Sequence, residues 1–367
     1  MRVIPIIKVV SHGCNLRCIY CYYSRENQSK IKIMSEEVLK DLISKTLSEV
    51  DGTKHFVWHG GEPLLAGIEF YKNTIKLQDY YKQKNQIISN GIQTNAFLIT
   101  DVWAKFLKKH KFNIGVSCDG PKNYHDSNRI DVGGNGTFNR VFQGITILNQ
   151  YGFNPMVISV ITKSSLRGVK EIFDFFYENK ISFHPKPCHE FNSSGKLMKF
   201  SVTPLEYTRF LIELFELWFK QDNPVFQIRY FNNLIKAIIG GKPNLCEFCD
   251  YCHIFLTVDY NGDVGPCDSF PLHKLNFGNI LRQNWKDILN SPAYHQYLDY
   301  IKENKSRCGQ CKWRNTCQGG CLRYFSDGSG QSFREESCEA RKILFAYTEH
   351  KIKNTRVAQK GGVKNDK

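Results

Sequence analysis

The chain has 367 residues, 41% hydrophobic and 23% charged, and its 50 Lys and Arg against 35 Asp and Glu give a formal charge of +15. This is globular composition, enough for one large domain with an appendage or for two domains, and it excludes intrinsic disorder and collagen-like repeats. No window holds the ~18 uninterrupted apolar residues of a membrane span, and the apolar run at residues 3–7 is too short for a signal-peptide core, so a soluble, cytoplasmic protein is expected.

Strand-like runs cover residues 4–10, 55–59, 86–93, 113–118, 155–162 and 181–187. Amphipathic helical patterns fill the intervals at 35–50, 68–81, 100–110, 136–151 and 164–179, with Ser35 before Glu36 and Glu37, and Thr100 before Asp101, as helix starts. Six strands with crossover helices predict a parallel sheet, open or curled into a partial barrel, whose function lies at the C-terminal strand ends. A loop at 192–195 and a helix over 203–220 follow. From Cys246 onward helix signals thin, cysteines crowd in, and Asn261-Gly262 marks a hairpin between 255–259 and 263–266. This C-terminal part reads as a small loop-rich unit that needs inorganic staples. The last stretch, 351–367, holds six basic residues against one acid and reads as a disordered tail, and the remaining positive charge comes with no nucleic-acid motif.

Fourteen cysteines without an export signal point to metal or cluster ligation rather than disulfides. Cys14, Cys18 and Cys21 follow the first strand on one loop, and three thiolates can hold three corners of an iron-sulfur cluster while leaving one iron open. Zinc, with His12 as fourth ligand, is the structural alternative. Cys118 and Cys188 read as buried thiols.

The spacing Cys14-x3-Cys18-x2-Cys21, with Tyr20 before the last cysteine, resembles the signature loop of radical S-adenosylmethionine enzymes. The resemblance implies a partial (β/α)6 TIM-like barrel over 1–190, a helical linker region over 191–245, and a small cysteine-rich SPASM domain over 246–350 with a β-hairpin and a C-terminal helix. It also implies that S-adenosyl-L-methionine chelates the open iron. Gly60, Gly61 and Glu62, in a Gly-Gly-Glu-Pro segment, match family positions at the methionyl amino group, where glycine lets backbone approach a ligand. Gln93, Thr94 and Asn95, and Ser117 and Asp119, match positions lining adenosine and ribose. Asp119, before Gly120, also reads as a turn former.

The C-terminal cysteines resemble the SPASM extension of peptide-modifying radical enzymes. Matching that pattern assigns Cys246, Cys252, Cys267 and Cys321 to one auxiliary 4Fe-4S cluster and Cys308, Cys311, Cys317 and Cys338 to a second, for three clusters in all, with Cys249 left over; zinc in one site is the alternative. Full ligation implies outer-sphere electron removal. Within this group the chain is similar to anaerobic sulfatase-maturating enzymes, through His125, the segment 227–231, Gly265-Pro266-Cys267-Asp268 and Gly319-Gly320-Cys321. There the Asp after the cluster cysteine is the base, which maps to Asp268. A carboxylate beside a thiolate cluster should have a raised pKa, although Asp also commonly caps loop amides. His59 stands where these maturases usually carry Gln, and Asn232 where Asp is common; both departures bear on the peptide substrate.

The resemblance implies that a 5′-deoxyadenosyl radical takes a β-hydrogen from a Cys or Ser of a sulfatase segment, Asp268 takes the proton, and the auxiliary clusters take the second electron, yielding formylglycine. It implies a polypeptide partner, an electron donor such as ferredoxin or flavodoxin, oxygen sensitivity, and neither nucleic-acid nor membrane binding. The alternatives are a maturase that crosslinks a ribosomally made precursor peptide and a non-catalytic, zinc-stapled binding module.

Overall fold

The computed structural model describes residues 1–25, 31–270, 275–325 and 330–361. The chain divides into two units, residues 1–160, 175–186 and 251–303 in the first and 161–174, 187–250 and 304–367 in the second.

Nine strands, β1 (Ile4–Lys8), β2 (Lys54–His59), β3 (Ile88–Thr94), β4 (Asn113–Ser117), β5 (Met156–Ile161), β6 (Phe183–Pro187), β7 (Phe255–Asp259), β8 (Asp263–Pro266) and β9 (Gly278–Asn279), form one sheet in the order β6-β5-β4-β3-β2-β1-β7-β8-β9. β1 to β5 are parallel neighbours in chain order. The crossovers are α1 (Glu36–Glu49), α2 (Ile68–Tyr81), α3 (Asp101–Lys109), α4 (Lys122–Asn128), α5 (Phe138–Gln150) and α6 (Val169–Glu178). The expected caps form: Ser35 and Thr100 side chains accept from the backbone N–H of Val38 and Trp103. Parallel strands bury both faces, and Phe56, Trp58 and Val116 are fully enclosed. Trp58, Tyr71, Trp103 and Phe112 pack edge to face between sheet and helices, where aromatic contacts add to burial.

The hairpin forms as predicted, with Gly262 at φ +86°. It is not part of a separate small unit, however. β7 pairs in parallel with β1, from Ile4 opposite Phe255 to Lys8 opposite Asp259, so the hairpin extends the large sheet and buries Leu256, Val258 and Val264. The need for a core, which the sequence reading met with metal staples, is met here by the first strand.

The second unit contains α7 (Pro204–Gln221), α8 (Arg229–Ile238), the short α11 (Arg314–Cys317) and α12 (Gly330–Gly361), while α9 (Trp285–Leu289) and α10 (Pro292–Ser306) lie mainly or wholly in the first. Phe215 packs on Phe231 and Tyr347, and Thr208 donates to the Ala340 carbonyl, locking α7 against α12. α12 continues to Gly361, so the disordered tail expected from residue 351 is helical as far as it is described, and 362–367 lie outside the described residues. Among the described residues no helix is long and apolar enough to cross a membrane.

Candidate active site

Cys14, Cys18 and Cys21 sit on the loop after β1, none of them in a disulfide. The loop is braced from two sides. Arg17 and Ile19 donate backbone N–H groups to the carbonyls of Ile130 and Asn128, and Gly61 and Glu62 donate theirs to Ser11 and Gly13. A Cβ on Gly61 would stand 1.9 Å from the Gly13 carbonyl oxygen, and one on Gly60, at φ +108°, 2.8 Å from that of Ser11. The close approach that requires these glycines is to the triad loop's own backbone.

Burial first, and Glu62 second, push the Cys14 thiol up to about 12, with Cys18 and Cys21 adding to the effect. Burial likewise pushes Cys18 up to about 11 against the pull of Arg129. Three uncrosslinked thiols within electrostatic reach of one another are a donor set that fits a cluster. Cys308, Cys311, Cys317 and Cys338, all in the second unit, fit on the same ground: burial raises Cys308 and Cys338, and the neighbouring thiols raise them further. Cys252 and Cys267 belong to the first unit and Cys246 and Cys321 to the second. Cys249 is buried and donates to the Pro243 carbonyl at 3.3 Å. Cys118 and Cys188 are buried.

Glu62 is fully buried at the end of β2. Its carboxylate accepts from the Thr94 hydroxyl at 2.7 Å, the Asn95 amide at 2.7 Å and the Leu64 amide at 3.0 Å. Burial outweighs these donors and raises it to about 7. Asn95 also donates to Asn15 at 2.8 Å, which ties the loop after β3 to the triad loop. Gln93 donates to Ser117 Oγ at 3.0 Å across β3 and β4, above a Gly115 where a Cβ would meet its Oε1 at 2.2 Å.

Asp119 is not a turn former. It is fully buried and accepts from the Tyr20 hydroxyl at 2.7 Å and the Val160 amide at 3.1 Å, so it anchors the residue just before Cys21 to β4 and β5. The sequence reading missed Arg129, which is buried, donates from Nη1 to Tyr20 Oη at 2.7 Å, and acts electrostatically on Cys18 and Asp119. Among the described residues its buried Nε has no hydrogen-bond partner, a donor left for an anion. No periodicity or spacing marks a lone Arg in a loop. His125 accepts the Asp119 amide on Nδ1 at 3.4 Å, and burial holds its imidazolium down at about 3.

Asp268, directly after Cys267, is buried, and its Oδ2 accepts from the Tyr23 hydroxyl at 2.7 Å and the Tyr22 hydroxyl at 3.0 Å. Among the described residues, Oδ1 receives the Cys267 thiol at 3.8 Å. His59, at the end of β2, places Nδ1 3.5 Å from Oδ2. Burial alone would raise the carboxyl, but His59 when protonated, Lys8 and the two tyrosines outweigh it and hold it well below the usual carboxylate range. The protein's own groups act in the opposite direction to the one expected from a thiolate cluster: the fold supplies cations and hydroxyl donors.

Residues 8–176 match the model of the radical SAM superfamily, and residues 246–318 match that of an iron-sulfur cluster-binding domain, SPASM. The chain is 36% identical over 356 residues to a cysteine-type anaerobic sulfatase-maturating enzyme of Clostridium perfringens, covering 93% of this chain and 95% of that one. It is 30% identical to a serine-type enzyme of Bacteroides thetaiotaomicron, over 86% of this chain and 81% of the relative. The solved structure described as native anSMEcpe with bound AdoMet and Cp18Cys peptide superposes with a TM-score of 0.84 at 32% identity, covering 97% of this chain and 99% of that one. The likeness runs along nearly the whole chain, which belongs to the anaerobic sulfatase-maturating enzymes of the radical SAM superfamily.

Proposed function

We propose that this protein oxidises a side chain of a bound sulfatase segment to formylglycine, with Cys the preferred target and Ser the alternative. Support for Cys is the higher identity to the cysteine-type relative. In this reading Cys14, Cys18 and Cys21 hold the cluster that binds S-adenosyl-L-methionine, and Cys246, Cys252, Cys267 and Cys321, with Cys308, Cys311, Cys317 and Cys338, hold the auxiliary pair. When bound, these groups supply a 5′-deoxyadenosyl radical that removes a substrate β-hydrogen and a sink for the second electron. A ferredoxin or flavodoxin is the proposed donor.

The chain's own residues do the rest. Arg129 offers its unpartnered Nε to the carboxylate of S-adenosyl-L-methionine, while Tyr20 and Asp119 fix the loop it approaches. Gln93, Thr94, Asn95 and Ser117 line the strand ends beside it. Asp268 keeps the reacting corner basic, and the observation that carries this assignment is a buried carboxylate held ionised by Tyr22, Tyr23 and Lys8 one residue after Cys267.

The test is anaerobic incubation of iron-reconstituted protein with S-adenosyl-L-methionine, a reductant and sulfatase-like peptides carrying Cys or Ser, read by mass spectrometry. Formylglycine is expected, more from Cys than from Ser. Cleavage of S-adenosyl-L-methionine with both peptides unchanged would instead point to a crosslinking peptide maturase.

A further inference from the structure

Asp268 turns Oδ1 toward Cys267 and Oδ2 toward the two tyrosines and His59. Only 7% of it is exposed, and Oδ2 already accepts two tyrosine hydroxyls at 2.7 and 3.0 Å. His59 is more open, with 28% of its side chain exposed, and among the described residues its buried Nδ1 has no hydrogen-bond partner although it lies 3.5 Å from Asp268 Oδ2. Such hydrogen bonds are often long without substrate and tighten when it binds. A carboxylate facing one imidazole nitrogen fixes the tautomer with N–H on that nitrogen and leaves the other as the acceptor.

We propose that His59 is the proton acceptor for substrate activation in this chain, with Asp268 as the positioning carboxylate that holds Nδ1–H and faces the resulting imidazolium. The proposal rests on the formylglycine reading and moves its proton one group outward. The substrate S–H or O–H bond breaks with its electron pair staying on the heteroatom, and the proton forms Nε2–H on neutral His59. After product forms, imidazolium returns that proton to water. The hydrogen atom and the second electron leave by the routes already assigned, so the two-electron oxidation is unchanged.

The charged groups around the ring suit an acceptor. Burial, then Lys186 and Lys8, favour neutral imidazole, and Asp268 alone opposes them. Tyr22 and Tyr23 donate their hydroxyls to Asp268 beside the ring. These groups come from β6, β1, the loop after β8 and the segment after the triad.

The experiment follows formylglycine and 5′-deoxyadenosine against pH for the reconstituted native protein, His59→Gln and Asp268→Asn. The native rate is expected to fall on the acid side with an apparent pKa below 6.5. His59→Gln should slow product formation by about 10²-fold or more, the scale of a lost general base, and erase that limb, while peptide KM and uncoupled 5′-deoxyadenosine persist. A native rate and native acid limb in His59→Gln overturn the inference. If Asp268→Asn is then slow, a lone carboxylate base survives; if Asp268→Asn is also native-like, the base assignment to this corner falls too. Iron content checks each variant, and His59→Asn carries the same test should the Gln variant lose iron.

Discussion

Glu62 and Asp268 are both buried carboxylates in the same unit, yet the fold drives them in opposite directions. Glu62 accepts from the Asn95 and Leu64 amides and the Thr94 hydroxyl, with Arg129 a weaker pull, and burial dominates, raising it to about 7. Asp268 receives two hydroxyls and faces Lys8 and His59, and is held low. The contrast shows that burial sets the penalty for charge, and the number and charge of the donors decide whether it is overcome. It also separates two kinds of region. Around Glu62 and Asp119 the carboxylate oxygens accept from groups on several loops, which makes a rigid cradle, and Arg129 Nε is the donor left over in it. Around Asp268 and His59 an imidazole nitrogen is left over, which makes a place for chemistry.

The largest effect should come from breaking the cradle at its closest approach. Gly61→Ala puts a methyl into the Gly13 carbonyl, so the triad loop must move, and the variant should bind less iron at the triad and lose S-adenosyl-L-methionine cleavage, as measured by iron content and 5′-deoxyadenosine.

Arg129→Leu comes next. It removes the donor to the Tyr20 hydroxyl and the cation that acts on Cys18 and Asp119, and leaving a buried group unsatisfied costs about 1–3 kcal/mol, more where charge is involved. Chemical denaturation should show that loss, whereas Asp268→Asn, which keeps an acceptor for the tyrosines, should lose far less stability than activity. Equal losses in both would erase the distinction between cradle and reacting corner.

Tyr23→Phe removes one hydrogen bond to a charged acceptor, worth about 1.5–3 kcal/mol, and leaves Tyr22 to hold the carboxylate. Its formylglycine rate should fall on the acid side at a higher pH than that of the native protein.

The smallest effect is a pH slope. Because Glu62 titrates at about 7 in the folded chain against 4.5 unfolded, the folded state binds more protons between those values, and its contribution to stability is lost as pH rises through that window. Asp268 has the opposite sign: its contribution is complete above 3.8 and lost as pH falls toward its lower folded value. Urea midpoints of the iron-free protein from pH 4.5 to 7 should therefore decline more in the native chain than in Glu62→Gln.

Much of the fold was legible along the sequence. Strand and helix periodicity located the parallel layer to within a residue or two at most ends, because each element carries its own apolar pattern. α8 and α10 escaped notice, the latter because Tyr and His positions blur its apolar stripe. Cysteine spacing drew attention to the triad, since ligands on one short loop are close in space because they are close in sequence.

The chain by itself determined the alternation of strands and helices, the hairpin at Asn261-Gly262, and the residues that carry the family likeness. Only the tertiary structure decided that the hairpin would complete the first strand's pairing, that Asp119 would hold Tyr20, and that Arg129 would stand behind Cys18. It also decided that Asp268 would be ionised and face His59, a residue more than two hundred positions away. Local patterns follow from a residue's own neighbours in the chain, but hydrogen-bond partners and pKa values depend on which distant groups the sheet order brings to one strand end.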